Sequence, residues 1–252
     1  RDLHLSIRRQ RQMCIRDRIK GCKLFILCNP HNPGGVVWTE AELRAIADIC
    51  YDEKVLVFSD EIHADLTLPP HTHRPFATVS EKARMNSVTF MSPSKAFNMP
   101  GLSASHALIF NEDLRKRFRI YMDAGELDMG HVFAFLSVEA AYSHGTEWLD
   151  QCLAYIQGNI DFVDEFLKKH APKIKAIRPE ASYLVWLDCR ELELSQKDLN
   201  EFFVDKAHLA LNDGEMFGKE GIGFMRLNVA SPRCIIEKAM KQLADAYQLY
   251  IK

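Results

Sequence analysis

The chain has 252 residues, of which 47% are hydrophobic and 26% charged, as is usual for a globular protein. A formal net charge of −2 gives no reason to expect a nucleic acid or a membrane surface as partner. No apolar run approaches the roughly 20 residues that span a bilayer, and the histidines show no metal-site spacing. Seven scattered cysteines without a CxxC pair predict reduced thiols in a cytoplasmic protein.

The first 18 residues differ from the rest of the chain. They contain six arginines and two aspartates, and they have no apolar segment typical of a secretory signal. A basic arm or a transit peptide fits this composition, but an abrupt change directly before a strand pattern favours foreign sequence. We therefore expect residues 1–18 to be a non-native or disordered leader.

After this leader, strands and helices alternate. An apolar run at 24–28 predicts a buried strand, and Thr39 predicts the N-cap of an amphipathic helix that continues to about Tyr51. Three further strands are predicted, at 55–59, 87–91 and 103–110. A charged surface helix is predicted at 112–122. Strand, crossover helix and strand in this order predict an α/β fold with a mostly parallel sheet, whose site lies at the carboxyl ends of the strands.

The second half of the chain has a different pattern. Residues 131–170 are predicted to be almost wholly helical, with a break near His144-Gly145-Thr146. Beyond Pro172, four short strands are predicted, at 174–177, 183–188, 209–211 and 224–229. Two helices are predicted between and after them, at 195–207 and 232–250. We expect a large domain at 19–145, a connecting helix at 146–171 and a small α+β domain at 172–252.

Lys95 is the first candidate for a catalytic residue. It follows the predicted strand at 87–91, within Met91-Ser-Pro-Ser-Lys95, and no charged residue lies near it in the sequence. A lysine amine can form a Schiff base with a carbonyl group, and burial lowers its pKa so that it can act as a base. A solvated surface lysine is the alternative interpretation.

Polar residues also follow the two preceding strands. Asp60 comes directly after the run at 55–59, where a protonated ring nitrogen would be a suitable partner; a helix N-cap or a structural ion pair is the alternative. Asn32 lies in a turn and can donate to a ring oxygen, although Asn is also an ordinary turn residue. His63 can reach the same oxygen or the face of a cofactor, or it is a structural histidine.

Three further residues are candidates for anion binding. Arg226 lies within an apolar strand pattern, where it can clamp a substrate carboxylate or form a buried salt bridge. Ser92 and Ser94 offer hydroxyls to a phosphate, although Ser-Pro-Ser is also a plain turn. Along the chain, Asn32 is a hydrogen-bond donor, Asp60 an anion and Lys95 an amine nucleophile. These are the groups that pyridoxal phosphate (PLP) chemistry requires.

With these motifs assembled, the chain resembles the fold type I PLP enzymes of the class I/II aminotransferase superfamily, and most of all their cystathionine β-lyase-like C–S lyase branch. The resemblance covers about residues 20–252. Five stretches carry it: Cys28-Asn-Pro-His-Asn-Pro-Gly-Gly35, Val37-Trp-Thr39, Ser59-Asp-Glu-Ile-His63, Ser94-Lys-Ala-Phe-Asn98 with Pro100-Gly-Leu102, and Arg226-Leu-Asn-Val-Ala-Ser-Pro-Arg233.

The resemblance implies a role for each candidate. Lys95 would bind the cofactor covalently, Asp60 would pair with the pyridine nitrogen, and Asn32 would contact the ring hydroxyl and the substrate. Three further positions follow the family: Arg226 for the substrate α-carboxylate, and Ser92 and Ser94 for the phosphate. His63 stands where many aminotransferases have a tyrosine.

One departure from the family pattern concerns position 103. Many aminotransferases have a phosphate-binding arginine there, eight residues after the lysine, whereas this chain has Ser103. The difference favours the C–S lyase branch over a standard transaminase.

The resemblance also implies a PLP-transferase large domain followed by a small C-terminal domain, in a protein that is a homodimer at full length. The family's glycine-rich phosphate loop is absent, so we expect an N-terminally truncated large domain. The implied activity is β-elimination of cystathionine or related cysteine S-conjugates to pyruvate, ammonia and a thiol. The alternatives are an amino-acid aminotransferase, a role in binding transcription regulators, and an inactive fragment.

Overall fold

The computed structural model describes residues 15–127, 130 and 132–250, which form an α/β fold with two compact units. The first unit takes the described residues up to Pro30, with Val37–Thr67 and Thr72–Thr146. The second takes His31–Val36, Leu68–His71 and the described residues from Glu147 onwards. The domain bounds predicted from the sequence stay predictions.

Most of the predicted leader, residues 1–14, lies outside the described residues. Residues 15–19 are helical, and Ile19 is buried in the core of the first unit, where Ile15 packs beside it.

The first unit contains a four-stranded sheet with strands in the order β1-β2-β3-β4. The strands are β1 (Leu24–Cys28), β2 (Leu56–Asp60), β3 (Ser87–Met91) and β4 (His106–Leu108). Strands β1, β2 and β3 are parallel, whereas β4 is antiparallel to β3. Besides the helical residues 15–19, the described part of this unit contains the α-helices α1 (Glu40–Asp52), α2 (Glu81–Met85), α3 (Pro93–Ala96), α4 (Glu112–Ala124) and α5 (Val132–His144).

Helix α1 begins at the residue that the sequence predicts. The Thr39 hydroxyl accepts a hydrogen bond from the Glu42 backbone N–H, and the Glu42 carboxylate accepts one from the Thr39 N–H. The apolar face of the helix, including Leu43 and Ile46, packs on Val57 of the sheet. Beside this helix, β1 and β2 pair in parallel with Cys28 opposite Asp60 at the carboxyl ends of the two strands.

The second unit contains an antiparallel sheet in the order β5-β6-β8-β7. Its strands are β5 (Lys175–Ile177), β6 (Leu184–Asp188), β7 (Asn212–Asp213) and β8 (Phe224–Asn228). Its α-helices are α6 (Thr146–His170), α7 (Gln196–Glu201) and α8 (Arg233–Tyr250). Apolar side chains of α6, α8 and the sheet form one continuous core.

Three sequence predictions need correction. The strand predicted at 103–110 is limited to β4, because Ser103 has a left-handed φ of 49° and the chain turns there. The strand predicted at 209–211 is wrong: those residues are irregular after the left-handed His208, and the pairing with β8 begins at Asn212. The helix predicted at 195–207 is α-helical only in α7 and continues as a π-helix at Phe202–Lys206.

No helix in the described part of the chain combines the length and the apolar character needed to cross a membrane.

Candidate active site

Lys95 lies on α3, a single helical turn that starts where β3 ends. The Ser92 hydroxyl accepts a hydrogen bond from the Ser94 N–H at 3.1 Å, and Pro93 fills the first helical position, so the turn is locally specified. The Lys95 side chain is half-buried. Its amine makes no hydrogen bond or ion pair with any described residue. The amine is therefore available for reaction.

Asp60 is the last residue of β2, the parallel neighbour of β3. Strand pairing places Asp60 opposite Phe90, so the carboxylate lies at the sheet edge from which α3 departs. Its Oδ1 accepts one hydrogen bond, from the Ile62 N–H at 3.3 Å. Within the described residues no lysine, arginine or histidine pairs with it, so the structural ion pair considered from the sequence is not found there.

The neighbouring carboxylate, Glu61, is held very differently. It is 1% exposed, and its Oε1 accepts hydrogen bonds from the Ser59 hydroxyl at 2.8 Å and the Phe76 N–H at 2.9 Å. Its Oε2 lies 2.7 Å from Nε2 of His73. Sequence reasoning missed this network. The alternation of a strand was the available signal, because it puts Ser59 and Glu61 on the face opposite Asp60.

Arg226, in the second unit, is bound by neutral groups. Its Nη1 donates to Oδ1 of Asn32 at 2.9 Å, and its Nη2 donates to Oδ1 of Asn212 at 2.8 Å. The guanidinium lies over the ring of Phe217, 4.7 Å from the centroid. No carboxylate among the described residues pairs with it, so the salt-bridge alternative is not found there. Burial lowers the pKa of Arg226, but an arginine side chain stays charged at neutral pH.

A glycine contact fixes the turn that carries Asn32. Gly35 has a φ of 67°, and a Cβ at this position would lie 2.4 Å from the Cβ of Pro179. The Gly35 carbonyl accepts hydrogen bonds from the N–H groups of Glu180 and Ala181, at 2.8 and 3.1 Å. Because Arg226 takes the amide oxygen of Asn32, the Asn32 NH₂ group is left to donate elsewhere.

The three remaining candidates lie on α3 or beside it. The hydroxyls of Ser92 and Ser94 both donate to the carbonyl of Ala104, at 2.5 and 3.2 Å. His63 is 4% exposed and precedes a 3₁₀ turn that contacts α3. Their roles toward a cofactor stay predictions. No group of three or more metal-ligating side chains is found among the described residues.

Comparison with known proteins identifies a family for the chain. The profile of the family "Aminotransferase class I and II" matches residues 8–243. A Bacillus subtilis protein named cystathionine beta-lyase PatB is 40% identical over 223 residues, which cover 88% of this chain and 58% of the relative.

Two solved structures are also similar. Cystalysin from Treponema denticola, which contains pyridoxal 5'-phosphate, is 34% identical with a TM-score of 0.92, over 96% of this chain and 61% of that one. A PLP-bound C–S lyase from Staphylococcus hominis is 32% identical with a TM-score of 0.84, over 93% of this chain and 60% of that one. The chain thus spans about 60% of the length of these proteins.

Proposed function

Because this chain belongs to the aminotransferase class I and II family, we propose that it acts in PLP-dependent C–S β-elimination. The observation that carries the proposal is the half-buried, unpaired amine of Lys95, one strand away from the unpaired carboxylate of Asp60. The names of the similar B. subtilis and S. hominis proteins support a lyase. The substrate class proposed is cystathionine or another cysteine S-conjugate.

The donor set of the chain fits PLP. An amine without a partner can bind the cofactor aldehyde, and a half-buried carboxylate with a single backbone donor has room for a charged partner such as a pyridinium nitrogen. The free NH₂ group of Asn32 is a donor of the kind that a ring hydroxyl oxygen accepts. When bound, PLP supplies a ring that takes up the electron pair released at the substrate α-carbon.

Each residue then has a defined role in the proposed reaction. Nζ of Lys95 would hold the cofactor and, once released from it, would remove the proton from the substrate α-carbon. The Asp60 carboxylate would pair with the ring nitrogen and favour its protonated form. The Arg226 guanidinium binds the substrate α-carboxylate and orients the substrate. Proton removal followed by loss of the β-thiolate gives, after hydrolysis, pyruvate, ammonia and a thiol.

We propose in addition that the protein is a cytoplasmic homodimer that acts on an amino acid. Exposed apolar side chains on α5 support an interface. A helix that is apolar around its surface is usually covered by other protein. They are Val132, Phe133, Phe135 and Leu136. Sedimentation analysis should give a dimer that Phe133→Lys dissociates; a monomer of the unsubstituted protein would contradict this part of the proposal.

Spectroscopy and product analysis test the central proposal. Addition of PLP should give an absorbance band of bound cofactor that Lys95→Ala removes and that Lys23→Ala, a change of an exposed lysine, leaves in place. Cystathionine should release pyruvate without any keto-acid acceptor. Turnover that requires a keto acid would identify an aminotransferase instead, and absence of the band from the unsubstituted protein would overturn the PLP assignment.

A further inference from the structure

We propose that Asn212 and Phe217 are positioning residues that hold Arg226 as a preformed receptor for the substrate carboxylate. This inference rests on the proposed function, since it concerns how the substrate is bound. The two residues lie near each other in the chain, on β7 and on the segment that follows it. Neither was predicted from the sequence as part of the site.

A count of donors shows which part of the guanidinium remains open. Arginine has five N–H groups, and Arg226 uses one on Nη1 for Asn32 and one on Nη2 for Asn212. Its Nε is buried and has no acceptor among the described residues. One N–H therefore remains on each terminal nitrogen. Two such groups are what a carboxylate needs for a bidentate contact.

Phe217 presents its ring to Arg226 from a closed loop, Gly214–Gly221. The ends of this loop meet so closely that a Cβ on Gly221 would lie 1.9 Å from the Gly214 carbonyl oxygen. Phe217 also contacts Trp186 edge to face, with ring centroids 5.6 Å apart. Trp186 in turn stacks on Phe224. The ring under Arg226 is thus fixed by the loop and by two further aromatic residues.

The neutrality of these partners is the central feature. Arg190 belongs to the same unit and also lies over an aromatic ring, that of Phe224, at 4.8 Å. However, Arg190 forms a two-point ion pair with Asp188, which compensates its charge. Arg226 has a ring face and two amide oxygens instead. Its position is fixed while its positive charge stays available for a carboxylate ligand.

Two substitutions test this assignment by substrate discrimination. Each variant is assayed in the PLP-loaded protein with S-ethyl-L-cysteine and with its α-carboxamide, which lacks the carboxylate. Phe217→Ala should reduce the preference in kcat/KM for the acid by about 3- to 30-fold, the range of a cation–π contact. Asn212→Asp should reduce it by about 10-fold or more, because the new carboxylate would occupy the guanidinium.

Two controls separate positioning from general damage to the loop. Met216→Ala, at a side chain that is 66% exposed on the same loop, should leave the preference unchanged. Phe217→Tyr keeps an aromatic ring under the guanidinium, so the preference for the acid that is lost in Phe217→Ala should be retained in this variant. Equal losses for acid and amide in Phe217→Ala and Asn212→Asp would overturn the proposal, because they would indicate a structural role only.

A second measurement does not depend on turnover. In protein with ¹⁵N-labelled arginine, rotation of the Arg226 guanidinium about its Nε–Cζ bond should be slow, and Phe217→Ala and Asn212→Ala should accelerate it. Acetate serves as the carboxylate probe and should shift the Arg226 signals less in Asn212→Asp than in the unsubstituted protein. Fast rotation in the unsubstituted protein would overturn the positioning role even if the lyase activity is present. Slow rotation in a protein without lyase activity would contradict only the proposed function.

Discussion

In the first unit, a carboxylate without a counter-ion lies next in sequence to a carboxylate that has several partners. The second unit shows the same contrast between two arginines, one without a counter-ion and one in an ion pair. In the first unit, Asp60 has one backbone donor and Glu61 has three partners. In the second unit, Arg226 has only neutral partners and Arg190 has Asp188. Among the described residues, each unit therefore contains at least one compensated charge that supports the structure and at least one uncompensated charge that is available for a ligand.

This difference gives a criterion for assigning roles. Holding a charge without a counter-ion costs free energy, and a bound ligand of opposite charge can offset this cost. A charge that is already paired gains little from such a ligand. By this criterion we propose that Lys95, Asp60 and Arg226 take part in the chemistry, and that Glu61 and Arg190 support the framework.

The largest effect is expected from Glu61→Ala. The change leaves Ser59, His73 and the Phe76 N–H without their acceptor inside the first unit, so the free energy of unfolding should fall by about 3–5 kcal/mol. Urea denaturation measures this change, and Glu53→Ala, at an exposed position, is the control. A loss below about 1 kcal/mol would show that Glu61 is not the compensated charge described above.

Asp60→Asn should affect activity strongly and stability only slightly, in contrast to Glu61→Ala. The free energy of unfolding should change by less than about 0.5 kcal/mol, because no ion pair is lost among the described residues. The value of kcat for pyruvate release should fall by about 10²- to 10³-fold, as for other preorganised electrostatic groups. If stability falls as far as in Glu61→Ala while kcat is retained, the distinction between the two carboxylates is wrong.

Arg226→Gln should raise KM for a cysteine S-conjugate by about 10- to 100-fold, because a charge-assisted bidentate contact is lost. Arg190→Gln is the matched control, since it removes an arginine that also lies over a ring of the same unit. KM of that variant should stay within about twofold of the original value. Equal effects of the two substitutions would contradict the distinction between the two arginines.

Asp188→Asn should have the smallest effect, which should depend on pH. The hydrogen bond and charge of Arg190 lower the pKa of the Asp188 carboxyl, so the pair stabilises the folded state above the ordinary pKa of an aspartate. This stabilisation is lost as the pH falls through the lowered pKa. Thermal unfolding should therefore separate the variant from the original protein slightly at pH 7 and not at all in strong acid. A difference independent of pH would indicate lost packing.

Much of the first unit could be predicted from the sequence, because its signals are local. The run Leu24–Cys28 gives β1, and Thr39 with Glu42 gives the start of α1. The positions of Asp60 and Lys95 follow from the ends of the predicted strands. β4 was too short to predict with correct bounds, because the left-handed Ser103 has no clear signal in the sequence.

The surroundings of the charges were decided by the tertiary structure. Asn32 and Arg226 are 194 positions apart, and their hydrogen bond depends on how the Gly35 turn packs on Pro179. Asn212 reaches Arg226 through a two-residue strand that no periodicity can reveal. Sequence patterns specify which residues lie at the ends of strands, because periodicity and caps are short-range. Which charges find a counter-ion depends on contacts between distant segments, and only the folded chain brings these together.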